Sequence, residues 1–123
     1  MAGWKETERV PVELIVLELL ARGERTKAAL YREIAEGSEY RVDVSRARLS
    51  TALRRLEEKG CLVCLRLPGP GNARAPRRTY RLTETGHIAR DMAFEEYYST
   101  VRGMSLLLDF AGFEERLARR EET

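Results

Sequence analysis

The sequence predicts a mainly α-helical fold with one small β-hairpin, an α+β domain followed by a long C-terminal helix. Three observations predict it. Glycine-bounded segments of the first 60 residues carry apolar residues at helical spacing, two later segments look β-prone, and the C-terminal third carries a heptad-like apolar stripe. With 123 residues, 43% of them hydrophobic, the chain suffices for one core and an appended element. We therefore place one domain at residues 10–83 and a helical dimerisation segment at residues 84–118.

Three helices precede any strand in this prediction. Each has apolar residues at three- and four-residue steps, a residue that suits a helix start and a glycine where the pattern ends. The predicted starts are Pro11, Thr26 and either Asp43 or Ser45, and the matching stops are Gly23, Gly37 and Gly60.

After the third helix the pattern changes to that of a β-hairpin. The strands are CLVCLRL and RRTYRLT, and the tip between them is PGPGNARAP, which is rich in residues that favour loops. Three helices followed by a hairpin is the order of a winged helix-turn-helix, in which the third helix enters the major groove of DNA and the hairpin forms the wing.

The last helix carries an apolar seam with steps of three and four residues, as in a coiled coil. A helix running from about residue 86 to residue 111 would be roughly 40 Å long, too long for one small domain to cover. The seam must meet a second copy, or the helix must fold back after a break near Gly103 or Gly112; we expect a homodimer. We expect Ile88 and Met92, which lie off the seam, to dock the helix base. The predicted interface residues are Phe94, Tyr97, Val101, Met104 and Leu108, with Ala111 continuing the spacing.

Charge is unevenly distributed along the chain. The overall net charge is only +2, but residues 41–81 carry +8, whereas residues 1–40 carry −2 and residues 82–123 carry −4. A concentrated positive segment in an otherwise acidic chain is typical of a phosphate-binding face, so double-stranded DNA is the predicted partner.

The candidate DNA contacts lie on the third helix and on the wing. Arginine can fork onto guanine or pair with phosphate, and serine and threonine bond either. Base readout is expected near the helix start, from Arg46, Arg48, Thr51 and Arg54. The alternative is a solvated helix face whose arginines pair with Glu57 and Glu58. The full candidate set is Arg46, Arg48, Ser50, Thr51, Arg54, Arg55, Arg74, Arg77 and Arg78.

The sequence gives little support for a metal site or for catalysis. Cys61 and Cys64 form a CxxC, but a zinc site needs four ligands and His87 is the single histidine, so we expect no metal, no cofactor and no enzyme activity. Trp4, Tyr97 and Tyr98 leave open an apolar effector pocket between protomers, although aromatic residues at such spacing more often belong to plain interface packing. With neither a signal peptide nor an apolar stretch long enough to span a membrane, a cytoplasmic protein is expected.

Two segments carry a family resemblance. SRARLSTALRRLEEKGCLV, followed by a basic loop and RRTYRLTETGHIARD, resembles the PadR family of winged-helix transcriptional regulators from about Val12 to Asp91. Departures at Ser50 and at KAAL (27–30) prevent any transfer of the operator sequence. The matching positions are Leu49, Leu53, Leu56, Gly60 and Leu62, then Tyr80, Leu82, Thr83 and Gly86.

The resemblance, the basic segment and the seam together favour a transcriptional regulator, acting as a homodimer that represses by occluding a promoter. The alternative is a winged helix used as a protein-interaction module in a larger assembly, in which the basic face contacts an acidic partner and the last helix packs against a different chain.

Overall fold

The computed structural model describes residues 10–67 and 77–122 and confirms the predicted fold class. Three helices precede an antiparallel two-stranded hairpin, and two helices follow it. The elements are α1 (Val12–Leu20), α2 (Lys27–Gly37), α3 (Arg46–Glu58), β1 (Leu62–Leu67), β2 (Arg77–Leu82), α4 (Glu84–Phe110) and α5 (Phe113–Glu121).

Two of the predicted helix caps are present in the structure. The Thr26 hydroxyl accepts a hydrogen bond from the Ala29 N–H at 3.1 Å, which begins α2. The Ser45 hydroxyl accepts from the Arg48 N–H at 3.1 Å, so Ser45 rather than Asp43 caps α3. Each cap satisfies an N–H that the first helical turn leaves unpaired and stabilises the helix by about 1 kcal/mol.

The first three helices and the base of the hairpin enclose one hydrophobic core. Full burial of each large side chain in it contributes roughly 1.5–3 kcal/mol. Buried Val44 anchors the connection between α2 and α3 just before α3 begins. Buried Leu56 anchors the other end of α3. The most deeply buried side chains are Val16, Leu30, Leu49, Leu56 and Leu62.

The hairpin is regular from its base at Leu62 opposite Leu82 to Leu67 opposite Arg77. An additional bridge pairs Arg25 with Tyr80 through two backbone hydrogen bonds of 2.8 and 3.2 Å, which ties the segment before α2 to the wing. The tip, residues 68–76, lies outside the described residues, and the predicted contact Arg74 lies there.

The chain divides into two compact units, before and after the step from Asp91 to Met92. The first unit includes the first two turns of α4, which dock at Gly86. A Cβ atom there would lie 1.9 Å from the carbonyl oxygen of Cys61, a separation that only glycine avoids. Thr83 reinforces this joint, since its hydroxyl donates to the Gly60 carbonyl and accepts from the Gly86 N–H, while its own N–H donates to the Cys61 carbonyl.

The prediction that Ile88 and Met92 dock the base of α4 is wrong, because their side chains are 56% and 69% exposed. Ala89 packs against the core instead, and Arg90 donates from Nε to Glu18 Oε1 of α1 at 2.6 Å. Both lie within about 60° of Gly86 around the helix axis, whereas Ile88 lies on nearly the opposite side, about 160° from Gly86. The close approach at Gly86 selects the docked face, and apolar character does not.

In the second unit, α4 passes through Gly103 without interruption and ends at Phe110. Gly112 then adopts a φ of +82°, a left-handed conformation that suits glycine, and α5 begins at Phe113. Of the two breaks considered from the sequence, the one at Gly112 is therefore present. Among the helices of the described residues, none is long and apolar enough to cross a membrane.

Candidate nucleic-acid interface

The sides of α3 determine where its polar residues point. Leu49, Leu53 and Leu56 are buried and define the inner side. Ala47 and Arg54 are exposed on the outer side, about 160° and 140° around the helix from Leu49. Two flanks separate these sides, and the candidate DNA contacts are divided between them.

One flank of α3 faces the start of α1. Arg48, Thr51 and Arg55 line a groove of about 410 Å³ together with Pro11 and Glu13. Arg48 and Thr51 are half-buried here, while Arg55 is exposed. On this flank Arg55 is therefore the most accessible of the predicted contacts, whereas Arg48 lies along the groove wall.

The other flank faces α2 and the wing. Ser50 and Arg54 line a cleft of about 160 Å³ with Lys27 at the start of α2 and Tyr80 on β2. Burial, followed by the neighbouring Cys64, raises the pKa of the Tyr80 phenol. The phenol is neutral at physiological pH, and it lines the cleft together with two cationic side chains and with Glu57.

Arg46 begins α3 and is exposed on the same flank as Ser50. The central carbon of its guanidinium lies 4.8 Å from the ring centroid of Tyr31 on α2, a cation–π contact. Tyr31 was not among the residues singled out from the sequence.

Charge along α3 is polarised towards its N-terminal half. Arg46, the first residue of the helix, is exposed beside the positive end of the helix dipole, whereas Glu57 and Glu58 lie in the last turn. One of the ion pairs considered from the sequence is present, since Arg54 Nε lies 3.8 Å from Glu58 Oε1. Both side chains are two-thirds exposed, so this pair is worth little and yields readily to a phosphate.

The wing places two arginines side by side. Arg66 on β1 is paired directly with Arg78 on β2, and both side chains are exposed. Like charges in directly opposite positions repel, so an anion between them would stabilise the hairpin. Arg77 is paired with Leu67 and therefore lies on the other face. Sequence reasoning missed Arg66, although the strand register identifies it.

The remaining polar candidates for chemistry are scattered. Cys61 is buried before β1, Cys64 is half-buried on β1, both thiols are free, and His87 is exposed on α4. Across residues 10–67 and 77–122, no three His, Cys, Asp or Glu side chains are grouped so that they could hold a metal ion.

The predicted seam is uncovered in the single chain. Phe94, Tyr97, Val101 and Met104 are each 44–51% exposed, and Leu108 is half-buried. The Phe94 ring stacks on Tyr98 at 6.3 Å between centroids. Three large apolar residues that do not belong to the seam are also exposed near the end of α4: Leu106, Leu107 and Phe110. The end of α4 is therefore apolar around most of its circumference.

Comparison with known proteins decides the family. The model of the transcriptional regulator PadR-like family matches residues 16–91, more than half of the chain. The chain belongs to this PadR-like family. The resemblance found in the sequence is thereby confirmed, and the PadR-like region spans α3, the wing and the docked base of α4. A sequence search of curated proteins gives no significant match.

Solved structures agree with the PadR-like fold. A transcriptional regulator from Clostridium thermocellum is similar with a TM-score of 0.72 at 21% identity, over 85% of this chain and 96% of that one. A PadR family regulator from Eggerthella lenta gives 0.68 at 25% identity, over 81% and 83%. Bacillus subtilis PadR, solved in complex with operator DNA, gives 0.60 at 15% identity, over 69% of this chain and 47% of that one.

Proposed function

We propose that this PadR-family transcriptional regulator binds a specific double-stranded operator as a homodimer and represses the promoter that contains it. The observation that carries the proposal is the set of exposed arginines on one domain. Among the described residues, Arg46, Arg55, Arg66, Arg77 and Arg78 make no ion pair, so their charges remain available to phosphates or bases.

The polarity of α3 supports entry of the helix into the major groove with its N-terminal end first. Arg46, Ser50 and Arg54 form one line of donors along the helix, and Thr51 with Arg55 forms a second. Exposed Ala47 lies between the lines and allows close approach to a base edge or a thymine methyl. Glu57 and Glu58 repel phosphates from the last turn, so the turns from Arg46 to Arg55 enter the groove.

The wing contributes affinity in this proposal. Arg66 and Arg78 contact phosphates or the minor groove together, and Arg77 acts from the other face of the hairpin. Arg74 extends the same basic character into the tip. Phosphate contacts of this kind position the protein without distinguishing sequences. Bacillus subtilis PadR in complex with operator DNA supports a DNA-binding role for this fold.

The uncovered seam supports the homodimer. A continuous patch of large apolar side chains from Phe94 to Leu108 is unfavourable in water and is suited to packing against the same patch of a second copy. A dimer of this kind presents two reading helices to successive major grooves about 34 Å apart, and hence a pseudo-palindromic site. Bound within a promoter, it blocks transcription sterically, and the proposal places this action in the cytoplasm.

The test begins with selection of duplexes from a random library by the purified protein, followed by titration of the selected duplex at several salt concentrations. We expect an enriched sequence with two-fold symmetry and a binding constant that falls steeply with salt, since each neutralised phosphate adds about 0.9 to the logarithmic slope. Absence of enrichment together with a flat salt slope would refute DNA binding.

Two further measurements test the finer statements. Sedimentation should give twice the monomer mass, whereas a monomeric mass would favour a protein-interaction module. Transcription in a purified system from a promoter carrying the selected site should fall when the protein is added, and a rise would contradict repression.

A further inference from the structure

The contact between Arg46 and Tyr31 joins two elements of the reading domain. Arg46 is the first residue of α3, whereas Tyr31 lies within α2, and the guanidinium carbon is 4.8 Å from the centroid of the phenol ring. The Tyr31 side chain is half-buried against the hydrophobic core, so its ring is held in place. Arg46 is exposed and, within the described residues, has neither an ion pair nor a hydrogen-bonded acceptor.

A stacked arginine differs from one held by a carboxylate. Arg54 Nε lies 3.8 Å from Glu58 Oε1 in an exposed and weak ion pair, so this carboxylate does little to fix the guanidinium in one position. The Arg46 guanidinium carbon lies over the Tyr31 ring at 4.8 Å, and a guanidinium that lies flat on a ring keeps its in-plane N–H donors for other acceptors. Those donors provide the fork that binds O6 and N7 of guanine.

Stacking also limits the conformations of a long side chain. A free arginine loses considerable rotamer entropy when it is fixed against a base, and a contact already present in the unbound protein reduces that loss. Arg46 has such a contact with the ring of Tyr31. Its position at the helix start is also where base edges are approached most closely.

We propose that Tyr31 is a positioning residue that orients Arg46 for bidentate recognition of a guanine in the major groove, which makes Arg46 a principal determinant of sequence preference. This inference rests on the proposed function, since it requires that α3 reads DNA. It assigns Tyr31 a role in selectivity that acts through Arg46 and requires no contact between Tyr31 and DNA.

The test compares Tyr31→Phe, Tyr31→Leu, Arg46→Ala and the double variant Tyr31→Leu/Arg46→Ala. The probes are the duplex selected by the wild-type protein, each of its single base-pair substitutions, and a random-sequence duplex. Tyr31→Leu should reduce the preference for the selected duplex by about fivefold to tenfold, in line with the strength of a cation–π contact. The loss should fall at the base pair that Arg46→Ala also affects, and Tyr31→Phe should stay within about twofold of wild type because it keeps the ring.

The double variant distinguishes positioning from a general structural effect. If Tyr31 acts through Arg46, adding Tyr31→Leu to Arg46→Ala causes no further loss of preference. Equal weakening of the selected and random duplexes, or additive losses in the double variant, would overturn the inference. Tyr31→Met provides a second non-aromatic side chain that fills the same space should the leucine variant fail to fold.

The outcomes separate the inference from the function on which it rests. A wild-type protein that enriches no sequence refutes the proposed function and the inference together. A wild-type protein that selects its duplex normally, while Tyr31→Leu and Tyr31→Met select it equally well, refutes the role of Tyr31 alone.

Discussion

The two units of this chain differ in how they satisfy their apolar residues. The first unit encloses most of its large aliphatic side chains in or against a core shared by α1, α2, α3 and the hairpin base, and few of them, such as Leu67 and Ile88, are exposed. In the second unit no described residue is buried, and large side chains up to the 90% exposed Phe110 remain in contact with water. The first unit therefore has its own hydrophobic core, whereas the second exposes the apolar surface on which the proposed homodimer rests.

The largest effect on the first unit is expected from Gly86→Ala, which tests how rigidly the base of α4 is docked. The new Cβ would clash with the Cys61 carbonyl oxygen, and backbone must move to relieve it. We expect a loss of about 3 kcal/mol or more in the free energy of unfolding, measured by urea denaturation. Gly103→Ala is the matched control in the same helix. A loss below about 1 kcal/mol for Gly86→Ala would mean that the base of α4 is not rigidly docked.

The proposed homodimer contact of the second unit is tested by Leu108→Asp. Leu108 lies on the predicted seam, and two charged carboxylates facing each other in a dimer should raise its dissociation constant about 100-fold, as measured by sedimentation. Leu106→Asp introduces the same change on nearly the opposite side of the helix, about 160° from Leu108, and should have little effect on the dissociation constant. If Leu106→Asp dissociates the dimer and Leu108→Asp does not, the opposite face is the interface.

Arginines on the first unit's surface should affect DNA binding and leave folding unchanged. Arg54→Ala should relax the preference at one base pair by about 1–3 kcal/mol, because it removes a base contact from α3. Arg77→Ala should weaken all duplexes alike and lower the logarithmic salt slope by about 1. Titrations of selected and random duplexes distinguish the two variants, and equal, sequence-independent losses would argue against a reading role for Arg54.

The smallest expected effect is that of Gly103→Ala. A Cβ at Gly103 meets no atom within 4 Å in the single chain, and glycine in a helix interior costs up to about 1 kcal/mol relative to alanine. The variant should therefore stabilise α4 by up to that amount, seen as a higher helical content by circular dichroism. A weakened dimer would show instead that another chain approaches closely at Gly103.

Sequence patterns predicted those features that depend on neighbours along the chain. Helical spacing located the three helices of the core, and the preference of hydroxyl side chains for helix starts identified Thr26 and Ser45. Strand alternation located the hairpin, and concentrated charge pointed to α3 and the wing as the candidate DNA interface.

Features that depend on contacts between distant segments were missed. Apolar character suggested Ile88 and Met92 as docking residues, but the docked face of α4 is set by the absence of a side chain at Gly86. Helical spacing likewise placed Arg48 beside the reading face without indicating that α1 flanks it. The stacking of Arg46 on Tyr31 joins residues on different helices, and no local pattern encodes it.

The joint at Thr83 has a consequence for how such a regulator can change its target. Its hydrogen bonds end on backbone atoms of Gly60 and Cys61, so they are independent of the side chains that α3 exposes. Residues such as Ala47, Ser50 and Arg54 can therefore be exchanged while α4 stays attached to the reading domain. Under the proposed function, substitutions on this single helical surface change the operator preference and leave the joint in place.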